Sequence, residues 1–251
     1  MSYAQKAALL DDLDEVVPKK DKKKRVVGFN RNSEHLDLRD IHALNEPQRQ
    51  MMYAFGEGLN LAAIGSAGTG KSYLASYLAL KALFSKDVNK VVIVRSAVAT
   101  RDMGFLPGTL QEKSEVYTIP YKQIFNDLCD SGTAWDILIK KGMVEFITTS
   151  YVRGITIDNA VVILDESQSM TFHEIDSVIT RAGFNTRLIV CGDSKQNDLT
   201  NPKKEKSGLD EFVRVIQHIP KYFDIINFTR NDIVRSDLAK QWIITKEDLG
   251  L

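Results

Sequence analysis

The chain has 251 residues, 43% hydrophobic and 26% charged, enough apolar material for one sizeable core. Its 33 basic and 33 acidic residues cancel, so no overall field draws a polyanion, and any nucleic-acid contact has to come from local patches. Cys129 and Cys191 are far apart and make neither a disulfide framework nor a zinc spacing; with no apolar run near ~20 residues and no signal-peptide pattern, the expected setting is cytoplasmic and away from membranes.

Residues 1–35 turn from acidic to basic around Pro18, where Lys19, Lys20, Lys22, Lys23, Lys24 and Arg25 crowd together. Like charges repel and little apolar surface is on offer, which predicts a loosely docked arm, either solvated or touching phosphate or a partner. Residues 36–251 are then expected to form a single domain. Pro47 opens a helix, with Asn45 as candidate cap. An apolar strand follows at 59–65 and an amphipathic helix at 71–85. Further strands are predicted at 90–96, 143–150, 160–166, 187–193 and 223–228, and helices at 120–130, 133–141, 171–182, 208–218 and 233–245. Valine- and isoleucine-rich runs with polar residues only at their C-terminal ends suit a mostly parallel sheet with helices on both faces, an α/β fold. The segment 96–120 is long and punctuated by glycine and proline, and reads as an ordered insertion.

Residues 65–72, GSAGTGKS, match G-x-x-x-x-G-K-[ST] between a predicted strand and a predicted helix, the context in which this pattern cradles a nucleotide's phosphates. Gly65, Ser66, Ala67, Gly68, Thr69 and Gly70 supply backbone amides, Lys71 a positive charge for the β- and γ-phosphates, and Ser72 a hydroxyl for Mg²⁺. The strand VVIL at 161–164 delivers Asp165 and Glu166 to the same edge of the sheet. Asp165 suits the metal, and Glu166 suits activation of a water, which favours hydrolysis of the nucleotide over transfer of its phosphate. A third strand ends in Gly192-Asp193, with Asp193 a weaker metal candidate and Gln196 a candidate sensor of the γ-phosphate. His35, His42, His173 and His218 form no triad or metal spacing.

With these motifs in this order, the region 44–240 resembles the PhoH-like family of P-loop ATPases, whose core is related to superfamily-one helicases. GSAGTGKS, GFLPGTLQEK (104–113), YVRGITIDNA (151–160), VVILDESQSM, ITRAGF (179–184), CGDSKQNDL, SGLDEF (207–212) and NDIVRS (231–236) carry the resemblance. It departs from the family at Ser167 and Ser169, where an alanine is usual within DEAQN, at Ile155 in place of an arginine, and at TRDM before GFLPG. The resemblance implies a RecA-like core, ATP with Mg²⁺, a homo-oligomeric ring such as a hexamer, and a link to RNA or single-stranded DNA in a bacterial or phage-infected host.

Gln48, in LNEPQRQMM, resembles the glutamine motif of such helicases, and an amide carries the donor and acceptor that adenine's N6 and N7 require. An arginine beside the γ-phosphate is worth ~10³–10⁵ in rate. Arg235 is the first candidate for it and Arg181 the second, either one reaching a neighbouring subunit's nucleotide. Arg95, Arg101, Lys113 and Arg153, interleaved with Phe105, Tyr117 and Tyr151, fit either a single-strand contact or a subunit interface. The expected function is a ring-forming Mg-ATPase coupled to nucleic acid, translocase- or helicase-like; the alternative is a nucleotide-gated assembly or regulatory module.

Overall fold

A computed structural model describes residues 36–96, 110–152, 154–193 and 207–249, without the side chains of 110–115. The charged arm, Arg101, Phe105, the Lys113 side chain, Arg153 and Gln196 lie outside the described residues.

Helix α1 (Glu46–Gly56) starts where the sequence places it: Asn45 accepts a bond from the Gln48 amide, and proline occupies the first turn. Strand β1 (Asn60–Gly65) runs into the glycine-rich loop and helix α2 (Lys71–Phe84). Then come β2 (Lys90–Arg95), α3 (Leu110–Leu128), α4 (Ala134–Lys140), β3 (Val144–Thr148), β4 (Ala160–Leu164), α5 (Phe172–Ile179), β5 (Arg187–Gly192), α6 (Leu209–Gln217), β6 (Phe223–Phe228) and α7 (Asp237–Asp248). The insertion thus differs from its sequence reading, because residues from Leu110 onward are helical and Pro120 sits inside α3 rather than at its start. Proline removes only one helical hydrogen bond there, and the buried Tyr121, Phe125 and Leu128 hold the helix to the core.

The sheet has strand order β3-β2-β4-β5-β1-β6, and every pairing between its strands is parallel. Alternation along each strand divides the core in two. Leu61, Ala63, Val91, Ile93, Val161 and Ile163 face a layer built by α1 to α4. Ala62, Ile64, Val92, Val94, Val162 and Leu164 face α5 and α6. Burial on both faces explains why these strands read as continuous apolar runs. Strand β5 stands between β1 and β4, so the glycine-rich loop and the Asp165-Glu166 pair leave the same sheet edge from strands that are not neighbours. This is the α/β, RecA-like P-loop architecture expected from the sequence.

Candidate nucleotide site

Gly65 lets β1 end hard against β6: its φ is +131°, and a Cβ there would stand 1.8 Å from the Phe228 carbonyl oxygen. The Ser66 amide takes that same carbonyl. Thr69, fully buried, closes the loop by donating its hydroxyl to the Ser66 carbonyl at 3.0 Å, and Gly70, with φ +85°, turns the chain into α2. Lys71 folds back across this loop. Its ammonium donates to the carbonyls of Gly65 at 2.6 Å and Ser66 at 2.8 Å, with Thr69 Oγ1 more distant at 3.5 Å. Burial pulls the lysine below its ordinary pKa, against the negative field of Asp193, Asp165 and Glu166.

Ser72 donates its hydroxyl to Asp165 Oδ1 at 2.8 Å, and Tyr121 of α3 donates to Asp165 Oδ2 at 2.6 Å. Asp165 is 5% exposed, so these two hydroxyls fix both of its oxygens in a nearly dry place. Glu166 adopts the left-handed region, φ 54° and ψ 40°, which a non-glycine residue reaches at a cost and which concentrates at functional sites. Its side chain opens to the cleft, yet the surrounding protein displaces enough water to push its pKa up, with the neighbouring Asp165 charge adding to the effect. Gln168 holds it: the Gln168 amide donates to Glu166 Oε2 at 2.6 Å, while its carbonyl accepts the Asp193 amide at 3.0 Å. Ser167, where the family carries alanine, is fully buried and gives its hydroxyl to the Cys191 carbonyl at 2.8 Å. The departure therefore leaves no orphaned polar group and adds a second clip between the β4 turn and β5.

Thr69, Gly70, Lys71, Ser72, Asp165, Glu166, Gln168 and Asp193 line one cleft of about 910 Å³, together with Ala67, Gly68, Tyr73, Ile41, His42, Leu44, Ile124 and Val234. That volume suits a nucleotide-sized ligand. Gln48 also lines it, but the amide serves the main chain: Nε2 donates to the Thr69 carbonyl at 2.9 Å and Oε1 accepts the Leu44 amide at 2.8 Å. Gln48, expected from the sequence as an adenine reader, thus braces the loop here while still lining the cleft.

Arg235 lines its own chain's cleft, beside Gly68, and the Val234 amide donates to the Gly68 carbonyl at 2.9 Å. The turn after β6 folds Arg235 back onto the loop from which β1 feeds α2, placing it beside its own chain's cleft. Arg181 is at the far end of the sheet, where its carbonyl accepts the Ile157 amide just before β4 begins. The cleft brings together Ala67, Gly68, Thr69, Gly70, Lys71, Ser72, Asp165, Glu166, Gln48 and Arg235, with Gly65 and Ser66 supporting Lys71. Arg95, one of the nucleic-acid candidates, packs its guanidinium 5.6 Å from the centre of the Tyr117 ring, and Tyr151 is exposed. Sequence reasoning missed Tyr121 and the bracing role of Gln168. The latter had a signal, a lone amide two residues past the strand-end acids.

Among the described residues no helix is long and apolar enough to cross a membrane. A family model described as "PhoH-like protein" matches residues 40–246. A PhoH-like protein of Mycobacterium leprae is 36% identical over 194 residues, covering 75% of this chain and 54% of its own length. One from Bacillus subtilis is 36% identical over 197 residues, 78% of this chain and 60% of the relative. Protein PhoH of Escherichia coli K12 is 35% identical over 217 residues, 86% of this chain and 60% of the relative. The chain thus spans little more than half the length of these relatives. Among solved structures, the Pif1 helicase from Candida albicans superposes with a TM-score of 0.44 at 17% identity, over 84% of this chain and 44% of that one. On the family match over most of its length and on these relatives, the chain belongs to the PhoH family.

Proposed function

We propose that this protein binds Mg-ATP in the cleft and hydrolyses it, coupling the reaction to RNA or single-stranded DNA within a homo-oligomeric ring. The observation that carries the catalytic part is the convergence of Lys71, the Ser72–Asp165 pair, Glu166 and Arg235 on one cleft. The residues present fit magnesium: a serine hydroxyl and a carboxylate oxygen lie 2.8 Å apart at the end of a glycine-rich loop. Among the described residues no group of three or more His, Cys, Asp or Glu side chains could hold a metal alone, which suits an ion that takes its other ligands from phosphate and water. Bound there, magnesium neutralises charge on the phosphates.

The chain's own residues do the rest. Lys71 is held at the centre of the loop with one N–H only loosely engaged, free for a phosphate oxygen. Glu166, with its pKa raised by burial, is a better proton acceptor near neutral pH than an ordinary carboxylate, and Gln168 aims it at the attacking water. Arg235 supplies positive charge to the nucleotide of its own chain, so a donated arginine is no longer an argument for a ring. Assembly rests on the family resemblance, and Arg181, at the opposite end of the sheet, is the arginine left to reach a neighbour.

Nucleotide binding and phosphate release, measured for the wild type and Lys71→Ala, test this reading. The wild type is expected to bind and turn over ATP, and Lys71→Ala to bind it far more weakly; equal affinity would overturn the loop assignment. Stimulation by single-stranded RNA or DNA, and a ring-sized mass in solution with ATP, are the outcomes expected of a motor. Turnover indifferent to both would favour a nucleotide-gated module.

A further inference from the structure

We propose that Tyr121 is a positioning residue for the metal-holding carboxylate, and that through it α3 sets how strongly magnesium is bound. This rests on the reading of the cleft as a Mg-ATP site. A buried tyrosine hydroxyl needs some hydrogen-bond partner, and a core backbone carbonyl would serve. Tyr121, 2% exposed, instead gives its hydrogen to Asp165 Oδ2 at 2.6 Å. Because Ser72 occupies the other oxygen, the two donors leave the carboxylate no freedom to turn. The ring itself is wedged against Phe146 of β3, centroids 5.8 Å apart, so the hydroxyl's place is set by α3 and not by the cleft. Groups that hydrogen-bond a metal-holding carboxylate fix its orientation and charge density, and removing them typically costs about 10–100-fold in metal affinity or activity.

The placement on α3 gives this contact its reach. Pro120 and Ile124, on either side of Tyr121, line the cleft, and Tyr117, one turn earlier, lies 5.6 Å from the Arg95 guanidinium at the end of β2. Helix α3 therefore meets the strand ends through two aromatic contacts, one on a cation and one on the carboxylate. A shift of α3 along its axis therefore moves the Tyr121 hydroxyl relative to Asp165, which is carried by the turn after β4.

The test compares the affinity of a fluorescent ATP analogue with and without Mg²⁺, by titration rather than by turnover. The wild type is expected to bind more tightly with Mg²⁺. Tyr121→Phe keeps the ring and removes the donor; its Mg²⁺-free affinity should match the wild type, while the gain from Mg²⁺ should shrink about 10–100-fold. Phe146→Leu loosens the same ring but keeps the donor; it should lower Tm and cost less of the Mg²⁺ gain than Tyr121→Phe does. An undiminished gain in Tyr121→Phe, or an equal loss in Phe146→Leu, overturns the proposal. If Tyr121→Phe does not fold, 3-fluorotyrosine placed at position 121 alters the donor strength in the intact fold and should change the gain, whereas the same residue at exposed position 151 should not; no change at position 121 is again fatal. A wild type that shows no gain from Mg²⁺ would instead sink the Mg-ATP reading itself.

Discussion

Glu166 carries the cost of the place the proposed hydrolysis gives it. Burial and the Asp165 charge both disfavour its ionised form, so its folded pKa is raised above the ordinary glutamate value. The fold then holds that proton more tightly than the unfolded chain does, so stability is fullest below the ordinary value and declines as pH rises through the raised one. Glu166→Gln removes the charge while keeping an oxygen to accept from Gln168. It is expected to raise Tm at pH 7 in the absence of nucleotide, with the advantage closing near pH 4, and to lower turnover by about 10²–10⁴-fold while ATP still binds. Thermal melts at the two pH values, together with phosphate release, check this. A variant no more stable than the wild type at pH 7 would mean that Glu166 is not held under strain by its surroundings.

Between elements, α2 and α3 are joined by a second tyrosine, one that also lines the cleft. Tyr73 donates to Asp127 Oδ2 at 2.7 Å, and Arg39 reaches the other oxygen of the same carboxylate at 3.2 Å. Burial, followed by the Asp127 hydrogen bond and charge, pushes the Tyr73 hydroxyl up to about 12. Burial alone pushes the Cys129 thiol up to about 12. Both groups hold their protons more tightly in the fold, so both favour the native state below their ordinary values and cease to do so as pH rises through about 12. Urea midpoints are expected to fall between about pH 9 and 12. Tyr73→Phe should flatten that fall above about pH 10 and leave the part due to Cys129. An unaltered slope would dissociate the tyrosine from the staple.

At the scale of the whole molecule, the parts legible in the sequence are those fixed by local pattern. Apolar runs of strand length gave the sheet, and the glycines with Lys71 and Ser72 gave the loop, because no other chemistry puts those residues between a strand and a helix. Asp165 and Glu166 were legible because a strand must deliver its last residues to one edge. What depended on tertiary approach was not legible. Pro120 looked like a helix boundary, which hid Tyr121 inside a helix whose hold comes from distant core contacts. Gln48 sat in the right motif, but the partner of its amide is set by the path of the loop some twenty residues later. Arg235 was identifiable as a candidate cation, but its place beside the cleft of its own chain is decided by how the chain returns after β6.

That return has a thermodynamic consequence. The Val234 amide rests on the Gly68 carbonyl, Asn45 holds the Asp232 carbonyl at 3.0 Å, and Gln48 holds that of Thr69, so the loop is gripped from both flanks of the domain. Helix α7 has no fully buried residue; Ile243 stands beside Gly68 and Asp248 accepts from Arg230. A ligand that stiffens the loop therefore also slows the opening of α7, and deuterium uptake across 234–248 is expected to fall when ATP is added. Uptake there that ignores ATP would uncouple the tail of the domain from the loop.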